Sequence, residues 1–382
     1  MVHFPEEIIG EILIRLPAKS LVRFHCVSKS WNANLTSQLF VKSHLDRSLR
    51  CRSIKLLRYE RGGFPRIGIW SGGSDEFCRF DPQFQPSIGN FQLVGSCNGV
   101  ICLSTLSRGN CSASDIYLWN PSINEFMALP QPGCPVSAAI GFGINPYSGH
   151  LDDIKVISIR NRYSCGSEFR SPRSSSGDSL RGNSWKQIET ALPSWYSYYL
   201  GRQVMYKEFI CWCANPREDH RSTWLLVSFD VINEVFTEMM LPENIAFSEK
   251  SITTIEGCIS VSGHESYRIY EVWIMKEFGI PKSWTQLYLI KLPEYSPMHY
   301  ELLGSAGAGE LVFFILGLHS QTNLSYIGSY DLESKQFNQC IELDASSASG
   351  SCLVDYVTSL VSVLPKYTAE CSHSVRANKL IG

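Results

Sequence analysis

The chain lacks any long apolar run. Its longest, residues 209–214 and 311–316, are six residues each, against the ~20 that a membrane helix needs. It also lacks a basic-then-apolar start: Glu6 and Glu7 follow close behind Met1, which argues against a secretory signal. The expectation is a soluble protein of the cytoplasm, the nucleus or both, with no membrane partner. No Cys-x-x-Cys occurs among the 14 cysteines, and none of the nine histidines has another within five residues. Close-spaced chelation and a redox pair are therefore not encoded. The cysteines are expected to be reduced core thiols. Cys211 and Cys213 would share one face of a strand, in poor chelating geometry.

Catalytic signatures are missing as well. The sequence has no Gly-x-x-x-x-Gly-Lys-Ser/Thr, no Gly-x-Ser-x-Gly and no His-Glu-x-x-His. Asp152 with Asp153 and Glu218 with Asp219 are adjacent carboxylates. Neighbours on a strand point to opposite faces, so solvated turns account for them better than an acid–base pair. A Cys–His pair assembled in space from Cys97 or Cys102 stays open. The expectation is no catalytic residue, no cofactor and no metal. Charge is modest, at 18% of residues and net −2. It is unevenly divided: residues 1–60 hold ten Lys/Arg against five Asp/Glu, and the remaining 322 hold 24 against 31. The basic residues at the front alternate with apolar ones, as on a solvated helix surface, so no nucleic-acid partner is expected.

What is present falls into two parts. Residues 4–45 have helical periodicity. A first helix is predicted over 5–15, with Pro5 in its first turn, Glu6 and Glu7 at the positive end of its dipole and Ile8, Ile9, Ile12, Leu13 and Leu16 on one face. Pro17 stops it. Ser20 is read as the cap of a second helix and Ser28 of a third. A fourth carries Leu39, Phe40 and Leu45. This small head holds seventeen large apolar side chains between Phe4 and Leu45, more than helices of two or three turns can bury among themselves. Either it docks on the rest of the chain or it offers an apolar face to a partner.

The remainder reads as short β-type runs between turns, at 91–94, 100–103, 116–119, 154–159, 209–212, 224–229, 267–274, 284–290, 311–316, 324–330 and 353–363. One unit repeats: LWNPSINEFMALP at 118–130, FDVINEVFTEMMLP at 229–242 and YDLESKQFNQCIEL at 330–343. Each has an aromatic, an Asn or Asp that can turn the chain, a second aromatic and an apolar end. NSWKQIETALP at 183–193 and KSWTQLYLIKLP at 282–293 form a weaker pair. A repeated hairpin that cannot bury its own face suggests radial stacking into a propeller-like body, of six or seven blades at ~40–50 residues each. Trp185, Trp212, Trp224, Trp273 and Trp284 are read as anchors of that body rather than as a ligand box. The Ser-rich stretch 164–179 is read as a flexible loop, and 366–382 as a disordered tail. The domains are placed at 1–47, 48–365 and 366–382.

The ordered pattern Phe4-Pro5-x-Glu7-x-Ile9-x-Glu11-Ile12-Leu13-x-Arg15-Leu16-Pro17, then Leu21, Arg23, Phe24, Val27, Lys29 and Trp31, resembles the F-box. Phe4 stands where the family usually has Leu and keeps the apolar contact. The stretches VGSCNGVICL (94–103), LWNPS (118–122), Gly141-Phe142-Gly143 with Asn145-Pro146, and EVWIMKEFG (271–279) with Ser283-Trp284-Thr285 are similar to the F-box-associated domain of plant F-box proteins, among them S-locus F-box and F-box–kelch members. The resemblance implies a small all-α F-box followed by a large all-β, propeller-like domain. It also implies a function: a substrate-recognition adaptor of a Skp–cullin–F-box ubiquitin ligase, itself non-catalytic. The head would bind a Skp-type linker, and through it cullin and RING subunits, using Phe4, Pro5, Ile8, Ile12, Leu13, Leu16, Pro17, Leu21, Phe24, Val27 and Trp31. The body would hold a protein substrate through residues the sequence does not reveal. A protein-binding scaffold outside any ligase, or a propeller enzyme, remain the rival readings.

Overall fold

The computed structural model describes residues 5–50, 55–60, 66–71, 78–80, 91–105, 115–130, 137–145, 154–160, 177–181, 184–188, 202–214, 224–242, 244–245, 250–293, 298–305, 309–317, 325–343 and 352–364. Four helices come first: α1 Glu6–Leu13, α2 Ala18–Phe24, α3 Lys29–Leu35 and α4 Gln38–Arg50. Pro5 stands just outside α1, and its carbonyl accepts from the N–H groups of Ile8 and Ile9. α1 ends at Leu13, earlier than the predicted 15, because the chain must already turn before Pro17. Ser20 is not a cap. Pro17 occupies that position, its carbonyl accepting from Ser20 and Leu21, and Ser20 lies inside α2. Ser28 does cap α3, its Oγ accepting from the Trp31 N–H at 3.1 Å.

The head builds a small core from Leu13, Ala18, Leu21, Leu35, Phe40, Val41 and Leu45, all buried. Phe24 and Trp31 meet edge to face with centroids 5.6 Å apart. His44 is 3% exposed, and its Nε2 lies 3.0 Å from the Leu16 carbonyl. That contact ties α4 to the turn between α1 and α2.

Beyond the head, the strands among the described residues form six four-stranded antiparallel sheets. Sheet two is Phe91–Cys97, Val100–Thr105, Ile116–Asn120 and Glu125–Ala128; sheet four is Val204–Tyr206, Phe209–Ala214, Leu225–Asp230 and Val235–Met240. Sheets three (Ser137–Ile144 to Ser184–Ile188), five (Ser251–Ile255 to Trp284–Lys291) and six (Met298–Ser305 to Gln336–Leu343) repeat the layout. Sheet one joins both ends of the body: Lys55–Glu60, Arg66–Ser71 and Cys78–Phe80 are completed by Cys352–Tyr356, which pairs with Lys55–Glu60. Innermost strands neighbour one another, sheet one beside two, two beside three, four beside five and five beside six. This is a helical head followed by a β-propeller body.

The repeated unit supplies the third and fourth strands of sheets two, four and six, and the weaker Trp unit the fourth strands of sheets three and five. The two kinds of sheet therefore alternate along the chain. In each strong repeat the acidic or amide side chain turns the chain as expected. Asn120 Oδ1 accepts from Ser122 N at 2.9 Å, Asp230 Oδ1 from Ile232 N at 2.8 Å, and Asp331 Oδ1 from Ser334 N at 2.6 Å. Four residues on, Asn124, Glu234 and Lys335 take the left-handed conformation that closes the hairpin.

An even number of strands returns the chain to the end of the sheet at which it entered. The turns between first and second strands (98–99, 207–208, 256–257) and between third and fourth (121–124, 231–234, 332–335) therefore share one face, the hairpin face. The connections from sheet to sheet lie on the other. Neighbouring sheets meet tightly. A Cβ on Gly141 would stand 2.7 Å from the Trp212 ring, and one on Gly143 2.8 Å from Met205 Sδ. The Gln203 amide clamps Phe142, accepting from its N–H at 2.8 Å and donating to its carbonyl at 2.7 Å. Phe278 of the EVWIMKEFG stretch packs on Tyr206 and Phe209 across the joint of sheets four and five, at 5.1 and 4.7 Å.

Two expectations are corrected here. The strand predicted over 353–363 ends at Tyr356, and residues 357–364 leave the sheet. Within the stretch read as a loop over 164–179, residues 164–176 lie outside the described residues, and Gly177–Arg181 is a strand paired on both sides. The predicted tail, 366–382, lies outside the described residues.

Candidate functional site

The head residues assigned to an adaptor face separate by exposure. Pro5, Ile8, Ile12, Pro17 and Val27 are exposed, with Ile8 at 47%, Ile12 at 54% and Val27 at 59%. Leu16, Phe24 and Trp31 are half-buried. Leu13 and Leu21 are buried in the head core, and Phe4 lies outside the described residues. Ile8 and Ile12 are one turn apart and so stand together on α1, while Leu13 turns inward. Covering a branched aliphatic side chain is worth ~1.5–3 kcal/mol, so isoleucines left in water one turn apart mark a surface suited to a partner.

The head also docks. Its buried residues belong to one continuous apolar cluster with Val100, Cys102, Ile116 and Leu118 of sheet two and with Leu360, Val361 and Val363. The sequence posed docking and partner binding as alternatives; the fold uses different faces of the head, one turned to the body and one to solvent.

The segment that leaves sheet one at Tyr356 is held by the LWNPS motif. Asn120, fully buried, donates from Nδ2 to the Ser359 carbonyl (3.2 Å), to Ser359 Oγ (3.1 Å) and to the Val361 carbonyl (2.8 Å). Ser122 Oγ lies 2.6 Å from the Tyr356 hydroxyl and accepts from Ser359 N. Glu125 accepts from Ser362 Oγ at 2.6 Å and from Val363 N at 3.3 Å. Gly99, at φ 80°, packs so closely on Ser359 and Val357 that no side chain fits there. Sequence reading saw Asn120 only as a turn former, because nothing local signals a partner some 240 positions away.

The remaining candidates resolve differently. Burial is the main cause that pushes the Cys97 thiol up to about 12 and raises Cys102 further, the reverse of what activates a thiol nucleophile. Cys211 and Cys213 are buried, and Cys213 is pushed up to about 12, again chiefly by burial. Burial brings Lys250 down to about 8, and its ammonium rests over the Trp224 ring at 4.6 Å. The five tryptophans divide among three separate apolar clusters, so they form no common box. Among the described residues, no group of three or more His, Cys, Asp or Glu is placed to hold a metal, and no helix is long and apolar enough to cross a membrane.

Comparison with known proteins agrees with this anatomy. Residues 75–348 match the F-box associated beta propeller domain, and residues 1–43 match the F-box domain. The F-box protein CPR1 of Arabidopsis thaliana is 27% identical, over 94% of this chain and 89% of its own. The F-box/kelch-repeat protein At3g23880 of the same plant is also 27% identical, over 83% and 86%. A solved structure, TolB from Acinetobacter baumannii, aligns at 10% identity and a TM-score of 0.47, covering 79% of this chain and 66% of that one. With a helical F-box leading into a propeller body matched across most of its length, the chain belongs to the F-box associated beta-propeller family.

Proposed function

We propose that the chain is the substrate-recognition subunit of a Skp–cullin–F-box ubiquitin ligase, acting in the cytoplasm, the nucleus or both. The observation that carries this reading is the exposed apolar face of the head, Ile8, Ile12 and Val27 with Pro5 and Pro17, in a domain that matches the F-box. That face takes a Skp-type linker, which brings cullin and RING subunits. A stable contact of this kind buries ~1,200–2,000 Å². The chain performs no bond chemistry. It raises the effective concentration of a substrate lysine near a charged ubiquitin.

Each four-stranded sheet is read as one blade, six in all, closed into a ring by the pairing of Cys352–Tyr356 with Lys55–Glu60. Lys55 pairs with Tyr356, so the head enters the body, and residues 357–364 leave it, at the same end of sheet one. The hairpin face beside them is thereby occupied, and the substrate is received on the opposite face. Presentation from loops above a rigid ring suits variable recognition.

Ile8→Asp with Ile12→Asp tests the reading more cleanly than Leu16→Ala with Pro17→Ala, because the Leu16 side chain also packs against the apolar cluster of the head. Both double variants are expected to lose capture of a Skp-type linker in pull-down while the body keeps its melting transition. Undiminished capture by the Ile8/Ile12 variant would remove the assignment.

A further inference from the structure

We infer that residues 357–363 form a joint, clamped between sheet two and the helical head, that fixes the head's orientation on the propeller. Three observations lead there. First, Ser359, Leu360 and Val361 are 0%, 7% and 0% exposed, and Val363 is 4% exposed. Three consecutive side chains cannot all be buried against a single surface, so this run is covered on more than one side. Asn120, Ser122 and Glu125 of sheet two account for one cover. The other is assigned to the head, whose Leu13, Leu21, Phe40 and Leu45 share one apolar cluster with Leu360, Val361 and Val363.

Second, the chain's connectivity demands proximity. α4 ends at Arg50, and Lys55, five residues on, pairs with Tyr356, from which the joint departs. Five residues span at most ~18 Å, so the end of the head cannot lie far from the start of the joint. Third, the anchoring is polar and buried. Asn120 satisfies three acceptors on the segment, and Glu125 takes two donors from it. A segment held only by apolar packing could slide. One pinned by this many directional bonds has a single seat.

The consequence rests on the adaptor reading. With the joint seated, the linker-binding face and the substrate face are parts of one rigid body. A bound substrate is then held at a set distance and angle from the charged ubiquitin, rather than swinging on the short connection 51–54.

The test uses the full-length chain in complex with a Skp-type linker. Leu360→Asp with Val363→Asp removes the joint's apolar contacts and leaves Asn120 in place. Glu125→Ala with Ser362→Ala frees its far end and disturbs the core least, so it serves if the first variant fails to fold. Hydrogen exchange of α2 and α4 and the radius of gyration from small-angle scattering are measured beside wild type. Amides of the head are expected to exchange about tenfold faster or more, with a larger radius of gyration and unchanged protection in sheets four to six. Head protection and radius equal to wild type in a folded variant overturn the joint. Failure of the wild-type chain to capture a linker strikes the adaptor reading instead; the exchange comparison, repeated on the uncomplexed chain, then still decides whether the joint exists.

Discussion

His44 holds its Nε2 against the Leu16 carbonyl, while its Nδ1 is buried with no hydrogen-bond partner among the described residues. Burial is the first cause that lowers its pKa below the ordinary 6.5; the Leu16 carbonyl works in the opposite direction. The sign follows from proton binding: below about 6.5 the unfolded imidazole takes a proton that the folded one resists. The contribution of His44 to stability is full above that value and falls as pH drops below it. Amides of α4 in the full chain are expected to exchange faster relative to their intrinsic rate at pH 5.5 than at pH 7.5, and His44→Gln to flatten that dependence; a flat wild-type profile would show that His44 is not the cause. Gly141 poses a steric question at the same scale. Its missing Cβ leaves room for the Trp212 ring, so Gly141→Ala overpacks the joint of sheets three and four, at a cost of ~1–3 kcal/mol. A urea melt of the whole chain checks this. Sequence alone shows the Gly-Phe-Gly pattern but not the ring that requires it.

Elements formed from neighbours in the chain were the most legible. The four helices, the cap at Ser28 and the Asx-initiated hairpins all follow from residues within a few positions of one another. Ser28→Ala is expected to cost ~1 kcal/mol, seen as faster exchange of the α3 amides with α1 unchanged. What the sequence hid was long-range. Residues 353–363 have a strand's composition, and up to Tyr356 they form one. Beyond it, side chains of Asn120, Ser122 and Glu125 take the segment's backbone groups, and the ladder ends. Ser20 reads as a cap from sequence because a hydroxyl is the usual cap, whereas the carbonyl of Pro17 already accepts the first N–H groups of α2. Of the residues proposed for an adaptor face, the sequence pattern could not sort Ile12, which faces solvent, from Leu13, which faces the head core.

On the scale of the whole molecule, the closing pair of sheet one governs the rest. Its innermost strand comes from the far end of the chain, a pairing that strand spacing alone could not reveal. A chain stopped before Cys352 is expected to lose its cooperative melt, and one stopped after Pro365 to keep it; calorimetry of the two distinguishes them. The same pairing sets a timetable during translation. The head leaves the ribosome about 300 residues before the strand that completes sheet one, an interval of roughly 15–60 s at ~5–20 residues per second. On the adaptor reading, a nascent chain could thus engage a linker long before the body that would receive a substrate is complete. If the chain serves as the proposed adaptor, a message cut short in that interval would yield a polypeptide that occupies the ligase and delivers nothing, so the last strand would also decide whether the first helices serve the complex or block it.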